Sequence, residues 1–115
     1  MKRLEKRELK VMVFGTRSEM GLNAATMVSR ILEKLLQHRD EVNVVFAAAP
    51  SQDEFLDALS KVKDVEWHRI NAFHLDEYIG LPSSAPQRFS KYLDKRIFER
   101  VPFRSVNYVI PAGLE

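Results

Sequence analysis

Two adjacent carboxylates, Asp76 and Glu77, stand out among the residues able to do chemistry. They lie in the stretch Asn71-Ala72-Phe73-His74-Leu75-Asp76-Glu77-Tyr78-Ile79-Gly80-Leu81, with His74 before them and Tyr78 after. The stretch continues an apolar run that reads as a buried strand. A carboxylate leaving such a strand is partly desolvated and sits beside a second negative charge. Both effects raise its pKa toward that of a useful general base. On chemistry alone, a solvated acidic loop with Tyr78 packed at the domain edge is the stronger reading. A second candidate is Ser51-Gln52, after Ala48-Ala49-Pro50. There a helix start would offer free N–H groups to a phosphate, with the Ser51 hydroxyl either capping the helix or touching the ligand. Arg17, beside Gly15 and Thr16, opens another helix and could grip a phosphate with its fork of donors. A capped helix with a solvent-facing arginine is the stronger reading of it.

Other chemistry is excluded. The chain has no cysteine, so a thiol nucleophile, a disulfide scaffold and a cysteine-ligated metal are ruled out. His38 and His68 have no partner at ligand spacing, so no metal is expected. No serine sits in a nucleophile elbow, and no glycine-rich turn forms a P-loop or a dinucleotide fingerprint. No cofactor is implied.

The elements that must position these residues alternate in period. Residues 9–14 form a short β-like run closed by Gly15. Thr16-Arg17-Ser18-Glu19 then fits a capping box. Met20, Ala24, Met27, Val28, Ile31 and Leu35 follow at spacings of three and four, predicting a helix to about residue 38 with that face buried. Residues 42–48 read as a central strand, and Ser51-Gln52-Asp53-Glu54 as a second capping box. Phe55, Leu56, Leu59 and Val62 stripe the next helix. Residues 67–74 read as a third strand. Pro86 suits the first turn of a third helix, whose Phe89, Tyr92, Leu93 and Ile97 face inward. Residues 106–110 form a last strand. The order β-α-β-α-β-α-β predicts an α/β, three-layer, Rossmann-like domain over residues 1–115, with a mainly parallel sheet and helices on both faces. Ligands bind beyond the carboxyl ends of such strands, which is where Asp76 and Ser51 fall.

The chain has 115 residues, 45% hydrophobic and 30% charged, enough for one domain with a core of its own. The formal charge of +2 is unevenly placed. The first ten residues hold five Lys/Arg against two Glu, and the rest hold thirteen basic against fourteen acidic residues. Residues 1–8 therefore read as a basic N-terminal arm on a near-neutral body, and no nucleic-acid partner is expected. The longest apolar run, residues 44–49, is far too short to span a membrane, and no secretory signal precedes it. A cytoplasmic location is the expectation.

The block Phe73-His74-Leu75-Asp76-Glu77-Tyr78-Ile79-Gly80-Leu81-Pro82 resembles the glucosamine-6-phosphate deaminase/isomerase family, which carries Phe-x-x-Asp-Glu-Tyr-x-Gly-Leu after a central strand. Element order and the register of Phe55 to Leu59 extend the resemblance from about Leu9 to the end of the chain. The related 6-phosphogluconolactonases typically carry Asp-Glu-Arg at this place, so Tyr78 and Gly80-Leu81 lean toward the deaminases. The resemblance implies a phosphorylated sugar as substrate. It makes Asp76 the residue that moves a proton between carbons 1 and 2 of a ring-opened amino-sugar phosphate, with Glu77 beside it in the motif. It places Ser51 and Gln52 near the phosphate loop, although Ala47-Ala48-Ala49-Pro50 stands where the family has a Gly-Gly-Thr turn. Tyr78 and Arg88 join the expected substrate-binding set; Arg88 replaces a family serine and either contacts phosphate or is exposed. The family's Asp-Gly-His segment for ring opening is absent from these 115 residues.

The expectation is therefore the N-terminal half of such an enzyme, with little activity alone. A non-catalytic sugar-phosphate-binding or subunit-interaction module is the rival. An incomplete sheet would expose an edge strand and favour a homo-oligomer or completion of the fold in trans.

Overall fold

A computed structural model describes residues 2–6, 8–77, 79–81 and 84–109, the first five by their backbone. Strands β1 (Lys2–Lys6) and β2 (Leu9–Val13) are followed by helix α1 (Arg17–Leu36), strand β3 (Val42–Phe46) and helix α2 (Asp53–Ser60). Strand β4 (Ile70–His74), helix α3 (Phe89–Leu93) and strand β5 (Ser105–Asn107) complete the order. Strands β3, β4 and β5 form a parallel sheet in that sequence, so the α/β class with a parallel sheet holds.

Strand β2 departs from the expected arrangement. It pairs antiparallel with β1, Lys6 opposite Leu9, in a separate two-stranded sheet. Only two residues separate the strands, so this pairing closes a far shorter loop than joining β3 would. Part of the basic arm is thus a β-strand.

Alternation along the parallel strands divides two faces. Val42, Val44 and Phe46 lie in register with Ile70, Ala72 and His74, and the apolar members of this set join the core. Leu32 and Leu36 of α1, Leu56 and Leu59 of α2, and Leu93, Ile97 and Phe98 pack into the same core. The helices of the described residues therefore feed one core against one face of the sheet. The opposite face carries a polar ladder. Asn71 donates to Asn43 (3.0 Å) and Glu41 (3.1 Å) and accepts from Ser105 (2.7 Å) and Arg104 (3.0 Å). Val45, on that face, is 59% exposed.

Helix α1 starts as its capping signal predicts: Thr16 Oγ1 accepts from Glu19 N–H at 3.1 Å, and Glu19 reaches back to Gly15 N–H. Its buried face does not follow the expectation. Gly21, Ala25, Ser29, Leu32 and Leu36 are buried, whereas Met20, Met27 and Ile31 are each about half exposed. Small residues win because α1 crosses α2 closely; a Cβ on Gly21 would lie 2.8 Å from the backbone at Glu54 and Phe55. At its far end Arg69 caps α1, donating to the carbonyls of Leu36 (2.8 Å), Arg39 (2.6 Å) and Asp40 (2.9 Å).

The second capping box is also corrected. Pro50–Gln52 is a 3₁₀ turn closed by Gln52 N–H to the Ala49 carbonyl, α2 begins at Asp53, and no side chain caps it. Pro50 sets the tight turn and shifts the helix two residues beyond Ser51. Helix α3 continues into a π-helical turn, Asp94–Phe98, closed by Glu99 N–H to the Asp94 carbonyl at 3.0 Å.

Candidate functional site at the carboxyl edge of the sheet

The carboxyl ends of β3, β4 and β5 bring together residues 46–50, 74–77 and 107–109. Leu75 N–H still pairs with the Phe46 carbonyl at 2.9 Å, so the ladder runs directly into Asp76. His74, only 3% exposed, accepts the Val109 N–H at Nε2, which puts its ring proton on Nδ1. Among the described residues that Nδ1 has no partner. Its ring meets Tyr108 edge-on, and the Tyr108 hydroxyl donates to Asp94 at 2.6 Å. Burial, with the Asp94 bond second, pushes the Tyr108 hydroxyl well above its ordinary range.

The adjacent carboxylates are placed in opposite situations. Both oxygens of Glu77 are taken by the start of α3, accepting from Phe89 N–H at 2.8 Å and Ser90 N–H at 3.1 Å. Asp76 is exposed and makes no hydrogen bond or ion pair among the described residues. Sequence adjacency suggested a coupled pair; the helix that binds Glu77 begins twelve positions further along the chain. Of the other expected site residues, Arg88 is buried, not exposed, and donates to the Leu81 carbonyl at 2.7 Å. Tyr78 lies outside the described residues.

Ser51 and Gln52 line a cleft of about 330 Å³ with Arg17, Met20, Glu54 and Phe55, between α1 and α2. Arg17 spans its mouth, donating to Glu54 (2.7 Å) and the Pro50 carbonyl (2.8 Å). The hydrogen bond to Arg17 holds the Glu54 carboxyl below its ordinary range.

On the other side of the same turn lies a second cleft, of about 290 Å³, walled by residues 48–50 and by Pro86, Phe89, Lys91, Tyr92, Lys95 and Arg96. Sequence reasoning did not single it out. The lysines at 91 and 95, followed by Arg96, were the available signal. The Tyr92 hydroxyl lies 2.7 Å from the Ala49 carbonyl and also reaches Asp53. Arg96 donates to Asp53 at 2.8 Å and stacks 3.5 Å over the Tyr92 ring. Asp53 is held below the ordinary aspartate range by the Tyr92 bond, with Arg96 contributing, and Tyr92 is pushed up to about 12 by burial and that same bond.

This chain is similar over most of its length to curated glucosamine-6-phosphate deaminases. It is 24% identical over 107 residues to that of Halothermothrix orenii, covering 92% of this chain and 44% of the relative. To the Staphylococcus aureus strain JH9 enzyme it is 27% identical over 107 residues, 90% of this chain and 33% of the relative. A solved monomeric glucosamine-6-phosphate deaminase superposes with a TM-score of 0.73 at 23% identity, over 93% of this chain and 44% of that one. Both of these curated relatives are glucosamine-6-phosphate deaminases. A 6-phosphogluconolactonase from Thermotoga maritima shares the fold as well, with a TM-score of 0.70 at 22% identity over 86% of this chain and 44% of that one. No family model matches the chain. It spans less than half the length of these relatives.

Among the described residues no cluster of His, Asp and Glu forms that would hold a metal ion, and no helix is long and apolar enough to cross a membrane.

Proposed function

We propose that this chain contributes the first half of a sugar-phosphate active site of the deaminase/isomerase kind, with Asp76 as its proton-transfer residue. The observation that carries the reading is the splitting of the carboxylate pair. Glu77 is consumed in fixing the loop to α3, and His74 fixes its other side to Val109. Asp76 is left exposed between two anchors, at the edge where ligands of parallel α/β sheets bind. Such a carboxylate takes the proton from C2 of an open-chain amino-sugar phosphate while the C1 oxygen becomes an enol. Returning the proton to C1 gives an imine at C2, which water hydrolyses to the ketone with release of ammonia. Glu77 is a positioning residue in this scheme. These 115 residues carry no Asp-Gly-His segment, which the family resemblance links to ring opening.

The test separates proton transfer from ammonia release. Fructose 6-phosphate in deuterated buffer is followed by NMR for loss of the C1 hydrogen signal, with glucosamine 6-phosphate assayed in parallel for ammonia. The 115-residue chain is expected to exchange C1 hydrogen above the buffer rate and to release almost no ammonia. Asp76→Asn should abolish the exchange, since a general base contributes about 10²–10⁴-fold. Exchange that is absent, or unchanged in Asp76→Asn, removes Asp76 from the chemistry. Binding of phosphosugar without any exchange by the wild type would favour the non-catalytic module instead.

A further inference from the structure

We propose that Lys91 and Lys95, in the cleft between residues 48–50 and α3, bind the phosphate monoester of a small sugar, in place of the Ser51 turn. The inference rests on the sugar-phosphate reading above and names the residues that supply its charge recognition.

The cleft of about 290 Å³ is lined by three cations and no carboxylate. Arg96 is already neutralised by Asp53 and held flat on Tyr92, which makes it a wall. Lys91 and Lys95 are exposed, one helical turn apart, and neither forms an ion pair among the described residues. Two like charges at this spacing repel each other, and a dianion between them turns that repulsion into attraction. Pro50, Pro86 and Phe89 supply apolar surface beside the lysines, suited to the C–H face of a sugar. The cleft touches the chain just beyond β3, at the same carboxyl edge as Asp76. The Ser51–Gln52 cleft is the poorer host for an anion. Its single cation, Arg17, is paired with Glu54, and that carboxylate would face any phosphate bound there.

The experiment is a calorimetric titration of the full chain with glucosamine 6-phosphate, inorganic phosphate and glucosamine. Glucosamine 6-phosphate should bind, inorganic phosphate should compete with it, and glucosamine should not bind. In the Lys91→Gln/Lys95→Gln double variant, affinity for glucosamine 6-phosphate should fall about tenfold or more, because two charge-assisted contacts are lost. Lys91→Arg/Lys95→Arg should restore it. Both lysines are exposed, so the thermal midpoint serves as the folding control and should not move. A Ser51→Ala/Gln52→Ala variant should bind as wild type. Loss of binding in that variant, with the lysine variant unaffected, overturns the inference and leaves the sugar-phosphate reading standing. A wild-type chain that binds glucosamine as tightly as its phosphate overturns the inference too. A wild-type chain that binds neither phosphate-bearing probe overturns the reading and the inference together.

Discussion

The two clefts flanking the Pro50–Gln52 turn are similar in size and opposite in electrostatic state. Between α1 and α2, Arg17 and Glu54 satisfy each other across an apolar floor of Met20, Gly21 and Phe55. Between the same turn and α3, Asp53 neutralises Arg96 and leaves Lys91 and Lys95 unmatched. A single turn therefore separates a seam whose charges are closed from a basin whose charges are open. The difference follows from which neighbour each acidic residue of Asp53-Glu54 meets: Glu54 turns to α1, Asp53 to α3.

The largest expected effect lies in the closed cleft. Gly21→Leu would drive a side chain into the backbone of α2, where even a Cβ comes within 2.8 Å. Overpacking of this kind costs about 2–3 kcal/mol. Urea denaturation should show that loss, and glucosamine 6-phosphate binding measured below the transition should persist. Loss of binding with stability intact would show that the apolar cleft, not the lysine cleft, receives the ligand.

The next effect tests the wall between the clefts. Tyr92→Phe removes the hydroxyl that meets both the Ala49 carbonyl and Asp53. About 1–2 kcal/mol should be lost, since one acceptor is left without its donor and the other is a carboxylate. The Arg96 stack survives on a phenylalanine ring, so the open cleft should keep its shape. An unchanged stability would remove the hydroxyl from the wall.

How much of this was legible beforehand depended on the range of each interaction. The start of α1 was, because Thr16 and Glu19 act within four residues of each other. The parallel order of β3, β4 and β5 was too, since the alternation of apolar runs and helical stripes carries it. The buried face of α1 was not: Met20, Met27 and Ile31 form the more apolar stripe, but close crossing selects Gly21, Ala25 and Ser29. Packing distance overrode hydrophobicity there. Ser51 looked like a helix cap, yet Pro50 produced a 3₁₀ turn first. The Asp76–Glu77 stretch was singled out from its residue types, but its division into an exposed and an engaged carboxylate required α3. The lysine cleft needed residues some forty positions apart to meet, which no local pattern encodes.

Acid should act on the open side of the turn through Asp53. Its folded pKa is depressed, first by the Tyr92 bond and then by Arg96. A depressed carboxylate contributes stability above its unfolded pKa, about 3.9, and that contribution disappears as pH falls through the lower folded value. The stability gap between wild type and Asp53→Asn should be constant above about pH 5 and should close below about pH 4. A gap that widens on acidification would mean that Asp53 is not the charged partner of this cluster.

The smallest effect belongs to the ion pair that closes the apolar cleft. The Arg17 side chain is 59% exposed and that of Glu54 33%, so solvent screens most of their attraction. Arg17→Ala should therefore leave the urea midpoint nearly unchanged. Its informative consequence is electrostatic. Removing Arg17 leaves Glu54 unpaired beside Ser51 and Gln52, which makes that cleft still less hospitable to phosphate. Glucosamine 6-phosphate affinity should therefore stay within about twofold of wild type if the anion sits against Lys91 and Lys95, beyond the turn. A loss comparable to that of the double lysine variant would place the phosphate against Arg17 and erase the distinction between the two clefts.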